Sequence, residues 1–106
     1  MITYEEFRKI ELKIGTIKEV QPHPQADRLY LVTVDVGGVT KQLVAGIRLF
    51  YSEESLKGKQ VVVVDNLEPA VIRGIESQGM LLAATDEKGI CVITPDRPAQ
   101  EGSLVK

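Results

Sequence analysis

Arg73, Ser77, Asn66 and Gln78 are the side chains with the most binding chemistry to offer, and they cluster between Asn66 and Ala84. That stretch joins two apolar runs, Val61–Val64 and Met80–Ala84, each of a length that suits a buried strand. A simple hairpin needs only a few turn residues. This connection is longer and more polar than turning the chain requires. Pro69 fixes one backbone angle, while Gly74 and Gly79 admit conformations or close approaches that a side chain would block. The expected form is a bulge or ordered loop that presents Arg73 and Ser77 on a rigid sheet. A loop whose polar residues merely face water is the competing reading.

Groups for catalysis are missing from the pattern. An enzyme needs a positioned acid, base, nucleophile or metal, and the chain has one histidine, His23, set between Pro22 and Pro24. A metal site would have to recruit carboxylates around it without any recognisable ligand spacing. Loop packing, or a hydrogen bond at a strand end, is the expected role of His23. No glycine-rich phosphate loop is present. Gly74-Ile75-Glu76-Ser77-Gln78-Gly79 has the wrong spacing for a nucleophile elbow. Cys91 is the single cysteine, so it cannot form an internal disulfide, which fits a reducing cytoplasm. Its apolar neighbours Ile90, Val92 and Ile93 predict a buried strand thiol. The expectation is a non-catalytic binding domain with no cofactor and no metal.

The elements that must position these groups are those of one soluble domain over residues 1–106. The longest apolar runs are strand-sized, so no membrane span is expected. The opening Met-Ile-Thr-Tyr-Glu-Glu has neither the basic start nor the apolar core of a signal peptide. A formal charge of −2 argues against an indiscriminate, strongly basic nucleic-acid binder. A polyanion would have to meet a patch built from a few cations, with the acidic residues turned elsewhere.

Thr3 and Glu6 match a capping box, and Phe7 and Ile10 give the short helix that follows one apolar side. So small a helix must dock on its own barrel or on a second subunit. Leu12 to Val20 alternate as a strand, with a phase slip read as a bulge or bend at Gly15. Residues 21–27 form a loop. Leu29–Val36 and Val39–Gly46 are hairpin strands around Gly37-Gly38. Ser52 can cap a short helix carrying Glu53 and Glu54, ended by Gly58. After Val61–Val64 and the polar stretch, Met80–Thr85 and Ile90–Thr94 flank a turn at residues 86–89, and a proline-containing arm runs to Val105. About five β segments with a helix between the third and fourth predict an all-β, five-stranded OB-fold barrel of Greek-key type. An SH3-like barrel is the alternative, disfavoured by that helix.

Taken together, several motifs resemble the tRNA-binding domain family. They are Glu11-Leu12-Lys13-Ile14-Gly15-Thr16-Ile17, His23-Pro24-Gln25-Ala26-Asp27-Arg28-Leu29-Tyr30, Val44-Ala45-Gly46-Ile47, and the Tyr51-to-Leu56 segment. Asn66-Leu67 with Pro69, Arg73-Gly74 with Ser77 and Gly79-Met80, and Thr94-Pro95-Asp96 follow in the same order. The family includes the C-terminal domain or β subunit of methionyl-tRNA synthetase, free-standing structure-specific tRNA-binding proteins and an export-related chaperone. The resemblance implies an OB-fold that binds the exterior of tRNA by shape, and a homodimer built through the chain termini. It implies RNA contact by Arg28, Asn66, Arg73, Ser77 and Met80, with Lys13, Lys18 and Lys41 extending the electrostatic footprint. Val71 departs from the family's lysine and Ala45 from its serine, and the lost cation predicts weaker binding. A chaperone-like peptide-binding role and a docking role within a synthetase assembly are the alternatives that the resemblance allows.

Overall fold

The computed structural model describes residues 1–106. It begins with α1 (Tyr4–Phe7), whose cap is complete: the Glu6 N–H donates to the Thr3 hydroxyl at 3.1 Å and the Thr3 N–H to the Glu6 carboxylate at 3.2 Å. β1 (Leu12–Pro22), β2 (Tyr30–Asp35) and β3 (Thr40–Ala45) then form an antiparallel meander. α2 (Glu53–Leu56), capped by Ser52, leads into β4 (Gln60–Val64), which pairs with β1. β7 (Met80–Leu81) pairs with the far side of β4. The strand order β3-β2-β1-β4-β7 is a nearly closed five-strand antiparallel barrel, the OB-like arrangement, with a helix between the third and fourth strands.

Alternation explains the core. Tyr30, Val32 and Val34 point inward from β2, while Leu31, Thr33 and Asp35 are only half-buried. Ile17, Val32, Leu43, Val61 and Val63 are fully buried, and Leu56 of α2 joins them. In β1 the phase slip lies between Ile17 and Glu19, not at Gly15. The bulge lets Ile17 and Val20 both face the core while Lys18 and Glu19 face water. Gly15 stays in register with Val61; a Cβ there would lie 3.1 Å from a Val63 methyl, so it provides room for packing and no bend.

The barrel closes through side chains where a backbone ladder is lacking. The Gln78 N–H donates to the Gln42 carbonyl at 2.8 Å, and the Gln42 N–H returns to the Gln78 side-chain carbonyl at 2.9 Å. The Val44 N–H donates to the Ser77 hydroxyl at 2.9 Å. These bonds satisfy the free edge of β3, which would otherwise be an unpaired strand edge.

Met80–Thr85 does not run as one strand. The chain breaks at Leu82, and β8 (Ala83–Asp86) pairs only with β9 (Gly89–Val92), as a separate two-stranded hairpin. Cys91 is exposed there, contrary to the buried thiol expected from its neighbours: Val92 faces the core, and alternation turns the residue before it outward. β10 (Leu104–Val105) pairs with the start of β1, beside α1. α1 buries no residue; Ile10 and Leu104 are 44% and 60% exposed on this terminal face.

Candidate nucleic-acid interface

The polar stretch between β4 and β7 is a miniature hairpin, not the bulge or loop expected. β5 (Ala70–Ile72) pairs with β6 (Ile75–Ser77), and Arg73-Gly74 is the turn. Both turn residues have positive φ, 52° at Arg73 and 85° at Gly74, the conformation of a type I′ turn. Asn-Gly is the usual sequence for such a turn, and Arg-Gly gives a weaker signal. Arginine in the left-handed region costs about 1–2 kcal/mol, and no other non-glycine residue in the chain adopts it. Arg73 is thereby held at the exposed tip of the hairpin.

Two further arginines converge on the same end of the barrel. Arg28 is exposed at the end of the loop joining β1 to β2. Its carbonyl accepts the Arg48 N–H at 3.3 Å, and the Arg48 guanidinium donates to the Ala26 carbonyl at 3.2 Å. That loop in turn meets the hairpin, because the His23 ring lies 3.1 Å from the Ile72 carbonyl. None of Arg28, Arg48 and Arg73 forms an ion pair with a carboxylate. Each guanidinium carries five N–H donors in a fork that suits phosphate. Arg48 is absent from the sequence expectations; its only signal is a cation just after Gly46-Ile47, and the fold is needed to bring it beside Arg28.

The other expected contact residues are committed inside the protein. Ser77 is buried: its hydroxyl donates to the Gly79 carbonyl at 2.9 Å and accepts from Val44, so it is not free to meet a phosphate or ribose. Asn66 donates to the Lys9 carbonyl at 2.6 Å and accepts the Glu11 N–H at 2.9 Å, tying the segment after α1 to the end of β4. Lys13 and Lys41 both pair with Asp65, at 2.9 and 2.6 Å, and Lys18 pairs with Glu101 at 3.2 Å. The three lysines are therefore locally neutralised and do not extend a free positive face. Burial works to raise the Asp65 carboxyl, but hydrogen bonds and charges from Lys41 and Lys13 outweigh it and hold it below its ordinary value. Lys13 is raised in turn by its hydrogen bond to Asp65 and by that charge.

Met80, the first residue of an apolar run read as a buried strand, is 47% exposed. It lines an apolar groove with Ile47, Leu67, Ile72 and Ile90, between the β5–β6 hairpin and β8–β9. No group of three or more His, Cys, Asp or Glu side chains is placed to hold a metal ion, and no helix is long and apolar enough to cross a membrane.

Comparison with known proteins agrees with this fold. A methionine–tRNA ligase of Pyrococcus furiosus is 50% identical over 105 residues, which are 99% of this chain and 14% of that protein. The chain thus spans about one-seventh of the length of such relatives. A MetRS-related protein from Pyrococcus horikoshii superposes with a TM-score of 0.93 at 32% identity, covering 100% of this chain and 98% of that one. A CsaA chaperone protein from Picrophilus torridus also superposes at 0.93, with 30% identity and full coverage of both chains. The family described as "Putative tRNA binding domain" matches residues 12–104. With that match running through all five barrel strands, the chain belongs to the tRNA-binding domain family.

Proposed function

We propose that the chain is a non-catalytic, cytoplasmic tRNA-binding module that works as a homodimer and raises the hold of an aminoacyl-tRNA synthetase, the methionyl enzyme, on its tRNA. The observation that carries this reading is the convergence of Arg28, Arg48 and Arg73, from three separate loops, with no carboxylate paired to any of them. Phosphates are the ligands that such forks fit. Met80 adds an adaptable apolar contact at the groove, while Ser77 and Asn66 hold the frame. So few cations suit recognition of RNA shape more than of sequence, and a dimer doubles them through effective concentration. Half of the residues being shared with a methionine–tRNA ligase supports the synthetase association.

Alanine at Arg28, Arg48 or Arg73 is expected to weaken tRNA binding by about 1–3 kcal/mol each. Each should also lower the slope of log affinity against log salt by about one. Unchanged affinity in all three variants would remove the site from this end of the barrel. Peptide capture is a second reading, supported by the apolar groove and by the chaperone among the structural neighbours. An apolar groove would bind with little dependence on salt, and the same titrations separate the two.

A further inference from the structure

Only two polar side chains are buried, His23 at 3% and Ser77 at 4% exposure, and both are bound to the polar segment between β4 and β7. Ser77 serves barrel closure. His23 serves something else. The Gln25 N–H donates to its Nδ1 at 3.0 Å, so Nδ1 carries no proton. The neutral ring therefore bears its proton on Nε2, which donates to the Ile72 carbonyl at 3.1 Å, one residue before Arg73. The His23 N–H donates to the Leu29 carbonyl at 3.0 Å, closing the loop that ends in Arg28. Ala26, within that loop, receives the Arg48 guanidinium. The imidazole thus joins the loop that ends in Arg28 to the hairpin that bears Arg73, and Arg48 is tied to that loop by its own bonds to Arg28 and Ala26.

We propose that His23 is a positioning residue of the tRNA site: its ring bridges the loop of residues 23–28 to the tip of the β5–β6 hairpin and sets Arg73 against Arg28 and Arg48. This role rests on the tRNA-binding reading. Two three-residue strands are marginal alone, and the base of the hairpin is sewn to β3 by Ser77, Gln78 and Gln42. At the tip, the His23–Ile72 bond is the only hydrogen bond to the rest of the chain. Holding the tip before RNA arrives avoids the entropy of ordering it on binding.

His23→Asn and His23→Gln separate the bridge from the local turn. The asparagine carbonyl replaces Nδ1 and keeps the bond from Gln25, as in an Asx turn, but does not reach Ile72. The glutamine amide nitrogen reaches the Nε2 position and keeps the bridge while giving up the local turn. With binding measured on bulk tRNA, H23N is expected to weaken affinity roughly five- to thirtyfold, the effect of one hydrogen bond. Its salt slope should fall by about one phosphate contact. H23Q should stay nearer the wild type, and the H23N loss should largely vanish in an Arg73→Ala background. Thermal melts of each variant separate these effects from unfolding. H23Q weaker than H23N, equal loss in both, or losses that track the melting midpoints would overturn the bridge. Wild-type binding with H23N unchanged sinks the bridge alone, whereas no wild-type binding at low salt sinks the tRNA reading and the bridge together.

Discussion

Arg73 stands in a backbone conformation that its own side chain disfavours, exposed and without an ion-pair partner. Strain kept at an exposed position is characteristic of sites where the side chain is needed for contact. Arg73→Asn restores the residue preferred at the first position of a type I′ turn and removes the charge. We expect its thermal midpoint to equal or exceed that of the wild type while tRNA affinity falls by about 1–3 kcal/mol. A lower midpoint, read in the same melts, would show that the arginine is stabilising and the strain argument wrong. Sequence marks Arg73 and Ser77 ahead of Asn66 but does not show that Arg73 alone stays free. What separates them is the partner at long range: Ser77 meets Val44, and Asn66 meets Lys9 and Glu11, whereas Arg73 meets no one. Arg48 was hidden for the same reason, since only the folded loops set it against Arg28 and Ala26.

At the scale of elements, local chemistry was legible where it is self-contained. The Thr3–Glu6 box, the Ser52 cap and the Gly37-Gly38 turn all stand where their residue types place them. Elements defined by tertiary partners were not: the β5–β6 hairpin has an atypical turn pair, and the apolar run at Met80–Ala84 gives no hint of its break at Leu82. The closure of the barrel by Lys13 and Lys41 on Asp65 is likewise a property of the fold, joining β1 and β3 to the end of β4. It sets a pH dependence. The Asp65 carboxyl is lowered in the folded state, so its contribution is present above its ordinary value of 3.8 and is lost as pH falls through the lower folded value. Lys13 is raised above 10.5, so its contribution holds below that value and is lost as pH rises through the folded one. Urea midpoints across the acid range should therefore fall more steeply for the wild type than for Asp65→Asn. Parallel acid limbs would show that the triad adds nothing to stability.

For the whole molecule, a formal charge of −2 coexists with a locally positive end of the barrel, because Lys13, Lys18 and Lys41 are matched to carboxylates whereas Arg28, Arg48 and Arg73 are not. The terminal face, with Ile10 and Leu104 exposed beside Phe7 and Leu12, is the surface we assign to the second subunit. Light scattering of the wild type at micromolar concentration is expected to give a dimer, and Leu104→Glu a monomer with an unchanged far-ultraviolet spectrum. A wild-type monomer would reject the terminal interface. Recognition of tRNA shape by the arginine end of this barrel is checked by titrating the wild type with bulk tRNA and with duplex RNA of similar size, at low and at physiological salt. We predict preference for tRNA at both, with affinity falling by roughly one log unit per tenfold rise in salt for each phosphate neutralised. Equal binding of the two RNAs, or none of either at low salt, would contradict it.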